Sequence, residues 1–183
     1  MPIQITFELS DTDLDYFRNA MRDAQAKMRG RDEKSILAGA RKQARELRGL
    51  AVAQFVTDRL QELDSLARML EDADWKLEGS HRRRVLDALS YFADPSDLVP
   101  DHIPGLGFLD DAIMVELVLQ EMRPELDTYA QFCSFREEEQ ARAGVDPEER
   151  RRRLQESRRA MYARMESRRE ERSRRGRWLS LFD

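Results

Sequence analysis

The sequence predicts an all-α fold: a helical bundle of about five main helices, with a short N-terminal strand before it and a long arginine-rich C-terminal helix after it. Three observations predict it. Apolar residues recur at three- and four-residue spacing in segment after segment, the signature of helices that bury one face. Only 8 glycines and 6 prolines punctuate 183 residues, while the good helix formers Ala, Leu, Glu and Arg abound. A chain of this length that is 40% hydrophobic has room for one core, although charged residues make up 37% of it.

In chain order, Ile3, Ile5 and Phe7 alternate with Gln4, Thr6 and Glu8, the period-two pattern of a half-buried strand. One strand makes no sheet, so it pairs with a partner chain, lies on the bundle, or is merely extended. Ser10 then starts a helix as its N-cap, with Asp11 and Asp13 at the positive end of the helix dipole. Leu14, Phe17, Met21, Ala24 and Met28 form its apolar stripe, and Gly30 ends it. A second segment, Asp32 to about Leu50, has the thinner face Ile36, Leu37, Ala40, Ala44 and Leu47. The third helix carries Val56, Leu60, Leu63, Leu66, Ala67 and Leu70, with Trp75 and Leu77 near the turn that follows. Ser80 is expected to cap the fourth helix, which presents Val85, Leu86, Leu89 and Phe92 and is stopped by Asp94-Pro95. A long helix runs from near Phe108 towards Phe135, kinked or restarted at Pro124. Asp146-Pro147-Glu148-Glu149 opens the last helix.

The most specific segment is the turn from Asp94 to Ala112. Pro95, Pro100 and Pro104 stiffen it, and Gly105 and Gly107 allow backbone conformations or close approaches closed to other residues. Asp94, Asp97 and Asp101 suit the capping of short turns, and Asp110 and Asp111 stand where a helix begins. These residues spell D-P-x-D-L-x-P-D-x-x-P-x-x-G-x-x-D-D-A after an aromatic-ended helix. The segment of about forty residues around it (85–122) resembles the YkvA-like family, a family of bacterial type. The resemblance implies a helical hairpin and carries no activity, substrate or cofactor with it.

The same five carboxylates (Asp94, Asp97, Asp101, Asp110 and Asp111), with His102, support an alternative reading as a Mg²⁺ or Ca²⁺ site or a metal-dependent hydrolase. Their spacing is not that of an EF-hand loop, and one histidine builds no zinc site. Capping is the reading we carry forward, with no cofactor expected.

Charge divides the chain. Residues 148–183 hold 13 Arg and 7 Asp/Glu, a balance of +6, against −10 for residues 1–147. A helical domain (1–145) is therefore expected to carry a basic tail (146–183). Arg150, Arg151, Arg152 and Arg153 open that tail, which offers only Leu154, Met161, Tyr162 and Met165 as apolar contacts up to Arg175. Such a helix frays unless something holds it. The interleaved glutamates favour a solvated helix or one docked on its own acidic body; nucleic acid and an anionic membrane surface are the alternatives. The final Trp178-Leu179-Ser180-Leu181-Phe182 resembles the peptide with which many bacterial proteins hold the replication sliding clamp, with Trp178 in place of its glutamine. Trp178, Leu179, Leu181 and Phe182 are the partner-binding candidates, and docking back on the bundle is the competing reading.

Other chemistry lacks material. There is no phosphate-binding glycine loop, dinucleotide fingerprint, nucleophile elbow or HExxH motif. The single cysteine, Cys133, lies among Tyr129, Phe132 and Phe135 and reads as a buried thiol with no basic partner beside it. No signal peptide or membrane span is expected, which points to the cytoplasm. The sequence thus predicts a non-enzymatic interaction or adaptor protein that meets an unidentified protein partner.

Overall fold

A computed structural model describes residues 8, 10–48, 54–93 and 109–174. Seven helices and no strand occur among the described residues: α1 (Asp11–Met28), α2 (Glu33–Arg48), α3 (Gln54–Glu71), α4 (Gly79–Tyr91), α5 (Leu109–Glu121), α6 (Arg123–Ala141) and α7 (Pro147–Arg174). The strand expected over Ile3, Ile5 and Phe7 lies outside them.

The helix starts follow from local chemistry. Ser10 and Asp13 form a reciprocal capping box: the Asp13 N–H donates to Ser10 Oγ at 3.3 Å and the Ser10 N–H donates to Asp13 Oδ2 at 2.8 Å. Asp32 opens α2 by accepting from the Ser35 N–H at 2.8 Å, and Asp146 opens α7 by accepting from the N–H groups of Glu148 and Glu149 at 2.9 and 3.1 Å. Ser80 does not cap α4. The backbone turns through left-handed Lys76 and Gly79, so the helix already begins at Gly79, behind an N-cap Glu78 with no side-chain bond. Ser80 falls inside the first turn.

The expected five main helices before the arginine-rich one are six. The segment expected as one long helix is α5 and α6, broken at Met122, with Pro124 in the first turn of α6. Proline offers no N–H and its ring clashes with the carbonyl four residues back, so α6 starts afresh there and runs on to Ala141.

α4 is the central post, packed by α1, α2 and α3. α3 in turn carries α5 and α6, and α7 folds back along α6. The stripes read from sequence meet in one core: Phe17 and Met21 from α1, Leu37 from α2, Leu66 and Leu70 from α3, Val85 and Leu89 from α4, and Met114 and Phe132 beyond them. Trp75 and Leu77, in the α3–α4 turn, are fully buried. Arg82 ties this turn together. Its guanidinium donates to the carbonyls of Leu70 (3.0 Å) and Leu77 (3.1 Å) and forks onto Glu33 at the start of α2. α2 crosses α4 closely at Gly39, where a Cβ would lie 3.0 Å from both Cα and Cβ of Ala93.

Candidate functional site: the face that holds the arginine-rich helix

α7 has few apolar side chains, and the structure puts them to one side. Met161 and Met165 are buried, Leu154 and Tyr162 are partly so, and the Tyr162 ring stacks on Trp75 with centroids 4.6 Å apart and planes 21° apart. The Tyr162 hydroxyl donates to the Trp75 carbonyl at 3.3 Å. Burial pushes the Tyr162 hydroxyl pKa well up, so it stays a donor across the physiological range.

Along that stripe lie three stations where α7, or the helix beneath it, meets a buried acid. At the first, Glu139 near the end of α6 is 1% exposed. Arg142 reaches it at 2.8 Å and Arg153 at 3.8 Å, and Arg150 donates to its backbone carbonyl at 2.9 Å.

The second is built on Asp72, just beyond α3. It accepts from the Tyr129 hydroxyl at 2.8 Å, from Arg136 at 2.8 and 3.0 Å, and from the N–H groups of Asp74 and Trp75, each at 3.0 Å. Burial alone would raise the Asp72 pKa, but the bonds from Trp75, Tyr129 and Arg136 together hold it below the ordinary aspartate range. Burial, with the bond to Asp72 added, drives the Tyr129 hydroxyl strongly the other way. Arg158 of α7 closes this station with a 3.5 Å contact to the Asp74 carbonyl.

The third station is centred on Glu125 in the first turn of α6, which is 0% exposed. Arg84 Nε stands 3.6 Å from its Oε1, and Arg169 Nε and His81 Nδ1 each stand 3.9 Å away. None of these makes a hydrogen bond to it. His81 turns its other nitrogen to Glu166 of α7 at 3.4 Å, and Arg84 also donates to Glu121 at 2.9 Å. His81, Glu125 and Glu166 are no metal triad, because the two carboxylates face opposite ring nitrogens and converge on no common point. No group of three or more His, Cys, Asp or Glu among the described residues is placed to hold a metal ion.

The candidates read from sequence fall as follows. Asp94, Asp97, Asp101, His102, Pro95, Pro100, Pro104, Gly105 and Gly107 lie outside the described residues, as do Trp178, Leu179, Leu181 and Phe182. Asp110 and Asp111 fall in the first turn of α5, where a helix start was expected. Of the arginine run, Arg150 and Arg153 face Glu139, Arg152 pairs with Glu149 at 2.5 Å, and Arg151 is exposed. Cys133 is half-buried, and Arg136, one helical turn on, brings Nη2 to 3.7 Å from its sulfur, a basic neighbour that the sequence reading overlooked.

Glu125, Glu139 and His81 were not singled out from sequence as site residues, although each carries a signal. Val118, Met122, Glu125, Tyr129, Phe132, Arg136 and Glu139 follow one 4-3-4-3-4-3 row, and His81 lies one turn before Val85 on the stripe of α4. An acid or imidazole in line with apolar neighbours is a buried polar group in need of a partner.

The fold and this face define a class: an all-helical domain on which a highly charged helix is held by a narrow apolar stripe and buried carboxylates. Comparison with known proteins agrees with the turn signature. A family described as "Protein of unknown function (DUF1232)" matches residues 85–117, from mid-α4 into α5. The chain is also 32% identical over 79 residues to the "Uncharacterized membrane protein YkvA" of Bacillus subtilis (strain 168), an alignment covering 40% of this chain and 73% of that protein. The chain belongs to the YkvA-like family. No solved structure matches it.

Proposed function

We propose that the protein is a non-enzymatic interaction module: a rigid helical scaffold (1–145) that presents a basic helix and the segment after it (146–183) to a partner. The observation that carries this is the one-sided docking of α7. Its Met161–Met165 side is turned inward while Arg151, Arg159, Arg164 and Arg168 remain exposed. An exposed arginine surface leading to Trp178, Leu179, Leu181 and Phe182 suits a protein groove with an acidic rim. In this reading the aspartates of the turn brace the hairpin, no cofactor takes part, and the cytoplasm is the place of action.

The test is enrichment from a lysate with mass spectrometry, comparing the full chain with one ending at Gly176. A single protein retained by the full chain, and lost on truncation or at high salt, supports the reading. Turnover of a nucleotide or phosphoester by the purified protein with Mg²⁺, abolished by Asp110→Asn with the fold intact, would overturn it.

One observation favours a second reading, contact with a lipid surface: the relative from Bacillus subtilis is called a membrane protein. No helix among the described residues is long and apolar enough to cross a membrane, and among the side chains the structure describes Tyr16 is the one exposed large hydrophobic. A lipid contact here would therefore draw on the arginines and on anionic headgroups. Flotation with anionic but not neutral vesicles is its expected mark.

A further inference from the structure

α6 and α7 turn unlike faces to solvent. On α6, Asp127, Glu137 and Glu138 are exposed, and the one cation between Asp127 and Glu138, Arg136, is spent on Asp72. On α7, Arg151, Arg159, Arg164 and Arg168 are exposed, and the two acids between Arg151 and Arg168, Glu156 and Glu166, are engaged by Arg152 and His81. The three outer acids and the four outer arginines make no side-chain hydrogen bond or ion pair with any described residue. The exposed side chains among them include the small Ala130 and Ser134 on α6 and Ala160, Ala163 and Ser167 on α7, so another helix can come close.

The two sets are in register. Arg153 approaches Glu139 and Arg169 approaches Glu125, which makes α6 and α7 antiparallel neighbours and gives the level of each residue on one against the other. At these levels Asp127 stands between Arg164 and Arg168, and Glu137 and Glu138 stand between Arg151 and Arg159. Within the chain they do not meet, because each lies on the outer side of its own helix. A second hairpin, turned over a twofold axis that runs along the helices, lays its α6 on this α7 without changing level. Each acid then faces arginines of the other copy, and the symmetry makes every pairing twice.

We propose that this outer face of the α6–α7 hairpin is where two copies of the chain pair, α6 of each on α7 of the other. The inference rests on the reading of the outer arginines as a contact surface and names a second copy as their partner. The patch is small, roughly 28 Å long and about 20 Å wide for two helices side by side, so the dimer is reversible rather than obligate. Its charges are exposed and screened by ions, so it forms at low salt and dissolves at high salt.

Sedimentation velocity of the purified full chain at about 0.05 M and about 0.5 M sodium chloride reads the pairing. The chain should sediment as a dimer at the lower salt and as a monomer at the higher. Asp127→Arg and Arg164→Asp, both on exposed side chains, should each weaken the dimer on the order of tenfold, since each puts two like-charge contacts in place of two attractive ones. An equimolar mixture of the two variants should dimerise again. In the mixed dimer the reversed charges face one another, and the remaining Asp127 and Arg164 meet as before. A wild-type chain that stays monomeric at low salt overturns the pairing. So does a dimer that neither variant weakens, or a pair of variants that mixing does not rescue. The purified chain is tested alone, so these failures count against the pairing and not against a partner found in a lysate.

Discussion

Asp72 takes four donors, two from the turn that follows α3 and two from α6, and so fixes the α3–α4 turn to the middle of α6. Its side chain is 9% exposed, which limits screening by water. Replacing Asp72 with Asn keeps the volume but removes the charge that Arg136 faces. We expect a loss of about 2–4 kcal/mol at neutral pH, measured by urea denaturation. The loss should depend on pH with a definite sign. The folded-state pKa of Asp72 is depressed, so its contribution is complete above the ordinary aspartate range and fades as pH falls through the depressed value. The gap between wild type and Asp72→Asn should therefore hold from about pH 5 upward and close in stronger acid. A gap that widened in acid would show that Asp72 is not the group held ionised by the fold.

At the scale of elements, α2 crosses the end of α4 closely at Gly39. Gly39→Ala would gain helix propensity and lose space, two effects of similar size. Gly39→Val settles the sign, because its branched Cβ meets the Ala93 backbone at 3.0 Å and cannot turn away. It should cost about 1–3 kcal/mol, read as a lower denaturation midpoint with an unchanged slope. α7 offers the contrasting case. Met165 is fully buried on a helix with few other apolar anchors, so Met165→Ala should cost about 2–4 kcal/mol of local docking. Trypsin, which cuts after arginine, should then nick α7 faster while the arginines of α3 and α4 keep their wild-type resistance. Uniform acceleration throughout the chain would mean that α7 and the bundle open as one unit.

The elements were legible because burial enforces periodicity: Phe17, Met21 and Ala24, or Val85 and Leu89, cannot reach the core in any other order. The split at Pro124 was only half legible, since proline permits either a kink or a new helix. The site was less legible for a different reason. Tyr129 meets Asp72 across 57 positions and His81 meets Glu166 across 85, and no local spacing encodes such pairs. What the sequence does hold is the anomaly of Glu125 and Glu139 on an apolar row. It marks a buried acid without naming the arginine that answers it.

At the scale of the whole molecule, the charge split and the path of α7 are one fact. Residues 148–183 have a balance of +6 and residues 1–147 one of −10, and within the former Arg150, Arg153, Arg158 and Arg169 of α7 each approach an acid or a carbonyl of the helices or turns beneath. Two kinds of force hold it, and salt separates them. The field between the two parts acts over distances beyond the Debye length, about 10 Å at 0.1 M salt, and is screened. The packing of Met161, Met165 and Tyr162 is not, and the pairs to Glu125 and Glu139 are shielded because those acids are 0% and 1% exposed. Raising sodium chloride from about 0.05 to about 0.5 M should therefore lower the hydrogen-exchange protection of α7 by a few-fold and then level off, with α1 and α4 unchanged. A continuing fall without a plateau would mean that α7 is held by exposed charge alone. No fall at all would mean that the opposite signs of body and tail contribute nothing to docking, and that the buried stripe suffices. A plateau places the molecule between these limits, with an apolar hinge line that salt cannot open and a charged margin that a strongly acidic partner could compete for.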